Sequence, residues 1–206
     1  MKLKSVNKVL LLIAAGLILN CSTATAQMTT VGMDHVGFNV PDLDQAVQFF
    51  TEVMGFHKIY EEGKLPLDAG GKKAFNIRSN GEITHIAMLS TGFGSNIELF
   101  EFNSPNRNMQ RPMTDDIGWY HIAFYTGDMA KSIAWLKSKK VEFIGAPIEH
   151  KDGPNAGLTG VYFKTPWGLM IELVSYPKGM AYEKTHPKYL LWSPKNYDPN
   201  KLKYIP

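Results

Sequence analysis

Two stretches of this chain, starting 86 positions apart, carry the same strand-and-helix pattern. Each begins on a histidine set in an apolar alternation, His35 or His121, and each later reaches Ile-Glu-Leu, at Glu98 and Glu172. Around the glutamates, TGFGSNIELFEF (91–102) aligns without a gap on TPWGLMIELVSY (165–176), matching Thr91 with Thr165, Gly94 with Gly168 and all of Ile-Glu-Leu. An internal duplication of this kind restricts the fold, because both copies must adopt one unit and bury their apolar faces together. A pseudo-two-fold pairing of the copies would bring two imidazoles and two carboxylates to one point, a donor set suited to a divalent metal. A glutamate between isoleucine and leucine in an apolar strand is costly to bury as an ion unless it is paired or metal-bound, and here it occurs twice.

The first residues are read apart from the fold. Lys2, Lys4 and Lys8 form a basic start, residues 9–19 an uninterrupted apolar run, and Ala24-Thr25-Ala26 a small-x-small cleavage signal before Gln27. The run is shorter than the roughly 20 residues that a spanning helix needs, so residues 1–26 are expected to be a cleaved secretory signal and the protein periplasmic or secreted. Cys21, following the apolar run, leaves a lipoprotein as the alternative. Three of the 22 basic residues lie in this leader, leaving 19 against 19 acidic ones. A neutral mature chain without a long Lys/Arg run offers nothing to nucleic acid or an acidic membrane. Cys21 is the only cysteine, which removes disulfides, thiolate metal sites and cysteine nucleophiles from the mature part.

Beyond the leader, MDHVGFNV (33–40) alternates as a strand, with Val36, Phe38 and Val40 on one face and His35, Gly37 and Asn39 on the other. Asp42 caps an expected helix with Leu43, Ala46, Val47, Phe50 and Met54 inward. Strands are expected at 56–62, 82–90 and 95–102, and the second copy repeats the order at 119–126, a helix capped by Asp128, 141–144, 160–164 and 169–175. The fold expected is therefore α+β, with tandem βαβββ modules at 31–115 and 116–177 forming a U-shaped concave sheet. Residues 63–80 and 145–159 are Gly-rich insertions beside the cup, and 178–206 a Tyr-, Trp- and Pro-rich tail packing as a strap over one module. Parity places His35, Glu98, His121 and Glu172 on the helix-free side, where all four are expected to converge within ligand distance of one ion. His57, His150 and His186 are expected to be ordinary structural residues. Asn39 and His85 are the candidates for substrate contact, and Lys72, Lys73 and Arg78 could meet an anionic group.

These motifs, DHVGFNVPDLDQAVQFF after His35, GWYHIAFYTGDM around His121 and the paired IEL strands, resemble the vicinal oxygen chelate superfamily, whose members include glyoxalase I, methylmalonyl-CoA epimerase, fosfomycin-resistance proteins and extradiol dioxygenases. The resemblance covers about residues 31–176. It implies one divalent ion, Ni, Co, Zn, Mn or Fe, held by His35, Glu98, His121 and Glu172, a set most similar to that of glyoxalase I. It also implies a lyase or isomerase that acts on a small oxygenated substrate, working as a monomer or homodimer with Glu172 as first choice of base and Glu98 as second. Asn39 stands where family glyoxalases carry an arginine and 155–159 has no cation, so a glutathione grip is not expected. The run YFKTPWGLMIE (162–172) is similar to a dioxygenase pattern and keeps an Fe(II) dioxygenase, or a non-catalytic binding module, as alternatives.

Overall fold

Residues 32–92 and 95–195 are described by the computed structural model, so the expected leader, Phe93, and Tyr197 and Tyr204 of the tail lie outside the described residues. The described residues from Met33 onward form one unit. Among the described residues, no helix is long and apolar enough to cross a membrane.

The first module runs β1 (His35–Val40), α1 (Leu43–Gln48), a π turn (Phe49–Val53), β2 (His57–Glu62), α2 (Ala69–Ala74), β3 (Glu82–Ser90) and β4 (Asn96–Asn103). Asp42 starts α1 as its position before an apolar period implies, its carboxylate accepting from Gln45 N at 2.9 Å. The turn then widens, and a π turn brings two consecutive phenylalanines inward: Phe49 is 6% and Phe50 0% exposed. The insertion 63–80 is not wholly loop, because Asp68 caps α2 by accepting from Gly71 N at 2.7 Å. Strand order is β1-β4-β3-β2, with β1 parallel to β4 so that Gly37 stands opposite Glu98.

The second module repeats this order as β5-β9-β8-β6. It comprises β5 (Ile122–Tyr125), α3 (Met129–Ser138), β6 (Glu142–Phe143), β7 (Ile148–Glu149), β8 (Thr159–Lys164) and β9 (Met170–Ser175). Asp128 caps α3 through Lys131 N at 3.0 Å. Strand β5 is shorter than its sequence implies, so His121 immediately precedes it; β7, inside the expected loop, pairs with β8. In the tail, a 3-10 turn (Ala181–Thr185) follows. Ala181 N and Tyr182 N donate to Ala156 O and Pro154 O at 2.9 Å each, tying the tail to the second module.

Strand parity holds as the alternation implies. Phe38, Val40, Ile97, Leu99, Ile171 and Leu173 are buried, while His35, Asn39, Glu98 and Glu172 lie on the opposite faces. The buried faces of both modules enter one apolar cluster. Phe56 meets Phe124 at 5.0 Å between ring centres, Phe50 meets Trp167 at 5.8 Å, and Trp135 Nε1 donates to Val53 O at 2.7 Å. The modules therefore share a core on their helix-bearing sides, and the histidine-bearing faces of the two sheets turn away from it.

Candidate active site

Each module presents one histidine-glutamate pair. His35 Nε2 lies 3.2 Å from Glu98 Oε2 and His121 Nε2 3.1 Å from Glu172 Oε2. In the first pair the glutamate reaches across Gly37, where a Cβ would stand 3.6 Å from Glu98 Oε2; in the second, Ala123 occupies the matching place opposite Glu172. A small residue two positions after each histidine keeps the bridge open.

The surroundings orient the donors differently. Asp34 Oδ1 stands 2.6 Å from His35 Nδ1, turning Nε2 toward Glu98. That hydrogen bond raises the His35 pKa above its ordinary value; burial opposes the rise, and the charges of Glu98 and Asp34 add to it. His121 lies between aromatic rings, 5.1 Å from Trp119 and edge-on to Tyr162 at 5.6 Å. Tyr162 is in register with Glu172; burial first, and then the neighbouring Glu172 carboxylate, hold the phenol above its usual pKa. Gly160 leaves room for that carboxylate, since a Cβ there would stand 2.8 Å from Glu172 Oε1.

Donor type and spacing fit a metal. Two ligands bound at right angles and about 2.1 Å from an ion stand about 3.0 Å apart, close to the spacing in both pairs. The expected convergence of all four is not what the chain shows. Among the described residues, no three His, Cys, Asp or Glu side chains group as a metal site. The four residues group instead as two pairs, one in each module.

A cavity of about 690 Å³ opens on the first sheet, beginning at Gly37 beside the His35–Glu98 pair. Asn39, Phe100 and Phe102 line it, together with Arg78, Arg107 and Arg111. Asn39, the expected substrate contact, is on the wall of this cavity. His85 is not: its Nδ1 lies 3.6 Å from Glu101 Oε1, on the side where Glu101 accepts from Leu43 N at 2.7 Å to cap α1. Lys72 is used within its own segment, donating to Ser79 O at 2.8 Å. Sequence reasoning missed Asp34, Gly160 and the linker arginines, and gave Tyr162 no role. Only the Asp34-His35 dipeptide carried a local signal.

A curated relative, the 2-epi-5-epi-valiolone epimerase of Actinomyces sp, is 39% identical over 158 residues, which is 75% of this chain and 84% of that protein. Among solved structures, a glyoxalase family protein from Bacillus cereus matches with a TM-score of 0.59 at 22% identity, covering 74% of this chain and 98% of that one. A glyoxalase family protein from Enterococcus faecalis matches at 0.50 and 20%, covering 69% and 95%. These two likenesses are of fold. The description Glyoxalase/Bleomycin resistance protein/Dioxygenase superfamily matches residues 32–173, a span holding all four candidate ligands, and the chain belongs to that superfamily.

Proposed function

We propose that this protein is a metal-dependent isomerase of the superfamily, an epimerase of a small oxygenated substrate. The observation that carries the reading is the pair of equivalent His-Glu contacts at 3.2 and 3.1 Å, each with the bite of two adjacent metal ligands. The relative at 39% identity, named as an epimerase, favours isomerisation over the lyase reaction expected from the glyoxalase I resemblance. A divalent ion held by His35, Glu98, His121 and Glu172 would supply Lewis-acid polarisation of two neighbouring substrate oxygens.

The chain's own residues supply the proton chemistry. In this reading Glu172 takes the proton from the carbon beside a carbonyl, and Glu98 returns one to the opposite face. The centre is inverted with no change of oxidation state. Glu172 is first choice as base because its carboxylate is seated against Gly160 and beside Tyr162, and is 14% exposed against 20% for Glu98. The ligand set is completed by a second copy: β1 and β5, one beginning on His35 and the other just after His121, are outer strands of their sheets. One copy's first sheet would meet its partner's second sheet there. The protein is further proposed to be exported, with the leader removed near Gln27.

Proton exchange tests the reaction class. With 2-epi-5-epi-valiolone as probe in D2O, the metal-loaded protein is expected to place deuterium at the inverted carbon, and Glu172→Gln to stop it. Absence of exchange with any divalent metal, together with oxygen uptake on catechols under Fe(II), would replace the isomerase by a dioxygenase.

A further inference from the structure

The chain contains three arginines among its 22 basic residues, Arg78, Arg107 and Arg111, and all three line the cavity on the first sheet. Among the described residues, no lysine, aspartate or glutamate lines it. The arginines come from different places: Arg78 follows α2 in the insertion, and Arg107 and Arg111 lie in the connection from β4 to β5. A guanidinium stays charged at any physiological pH, so three around one hollow repel one another unless an anion enters. No ion pair among the described residues involves any of them.

Two of the three are held in position without being used up. Arg107 donates Nη1 to Phe102 O, and Arg111 donates Nε to Trp167 O at 3.0 Å. Each contact takes one of five N–H donors, leaving four. The Arg78 guanidinium makes no hydrogen bond to the described residues, and only the backbone carbonyl is used, accepting from Gly81 N at 2.8 Å. Phe100 and Phe102, ring centres 5.9 Å apart and stacked, give the same hollow an apolar floor, and Asn39 adds a neutral polar group. From this we infer that the cavity is an anion-binding subsite for an amphiphilic small molecule. A carboxylate or phosphate lies among Arg78, Arg107 and Arg111, and the body of the ligand lies over Phe100 and Phe102. Arginine rather than lysine is the residue whose planar fork matches both oxyanions with two parallel bonds. As the cavity opens at Gly37 beside Glu98, the ligand's far end reaches the proposed proton-transfer pair. The subsite thus deepens the isomerase reading by giving its substrate an anionic group, and rests on that reading for this last step only.

Binding of inorganic phosphate and, separately, malonate is to be measured by calorimetry at low salt on chelator-treated full-length mature protein, so that no metal contributes. Wild type is expected to bind at least one of the two, phosphate preference marking a phosphate ester and malonate preference a carboxylic acid as the natural ligand. Arg78→Gln, which removes no side-chain hydrogen bond or ion pair among the described residues, is expected to weaken binding about tenfold or more, as loss of a charge-assisted bond does. Arg107→Lys, which keeps a donor for Phe102 O, should weaken it as well. Glu98→Gln should leave it unchanged, so that loss of the proton-transfer reading leaves the subsite standing. Absence of binding by either anion, or equal binding in wild type, Arg78→Gln and Arg107→Lys, would overturn the inference.

Discussion

Gly160 of β8 lies so close under Glu172 of β9 that a Cβ on it would stand 2.8 Å from Oε1. The carboxylate that meets His121 Nε2 at 3.1 Å therefore rests on bare backbone. Gly160→Ala is expected to leave the fold in place, since the crowded atom is the far end of a flexible side chain. The displaced carboxylate should lower metal affinity about 10- to 100-fold, the usual effect of disturbing a group that orients a ligand. Metal titration alongside thermal unfolding checks this; an unchanged affinity would mean that Glu172 is not held by that contact.

Glu172→Gln keeps size and one coordinating oxygen but cannot accept a proton. Turnover is expected to fall by about 10² to 10⁴-fold while metal content falls far less, because general-base catalysis contributes on that scale. Glu98→Gln should behave in the same way if the equivalent partner shares the proton transfer. Equal turnover in wild type and both variants at matched metal content would remove both glutamates from the role of base.

Phe50 joins the two modules, fully buried and in contact with Phe38, Phe49, Phe56 and Trp167. Phe50→Ala should cost about 3 to 5 kcal/mol, as such truncations do in close-packed cores. For a domain of this size that lowers Tm by roughly 6 to 20 °C. A shift of only a degree or two by calorimetry would show that the shared core is not as described.

The mature protein is expected to begin near Gln27. N-terminal sequencing of protein from its native host checks this directly. Retention of Met1 would contradict the export reading, and a lipid on Cys21 would move the protein to a membrane.

Alternation in 33–40 made β1 and the facing of His35, Gly37 and Asn39 legible, and the paired Ile-Glu-Leu tripeptides did the same for Glu98 and Glu172. Parity fixes which face of a strand a side chain takes, but not what that face looks at. The packing of Phe56 on Phe124, and of Phe49 and Phe50 on Trp167, decided that the helix-bearing sides meet, and no local pattern encodes such non-local aromatic contacts. Trp119 and Tyr120 read as strand because aromatic residues favour strands, yet Gly118 at φ 95° turns the chain and β5 starts only at Ile122. Helix α2 was hidden by its two glycines, Gly70 and Gly71, although Asp68 was a legible cap. Arg107 and Arg111 lie in a connection without periodicity, so their meeting with Arg78 depends on the folded path of the chain.

In the proposed dimer the two His-Glu pairs make one metal site, brought together between copies. The direct test compares two double variants, His35→Ala with Glu98→Ala and His121→Ala with Glu172→Ala, each lacking one whole pair. Each alone should hold little metal. An equimolar mixture, unfolded and refolded together, should regain about one quarter of the wild-type metal content, because half the dimers are mixed and each of those has one intact site of two. Wild-type metal content in either variant alone, or no recovery in the mixture, would contradict it.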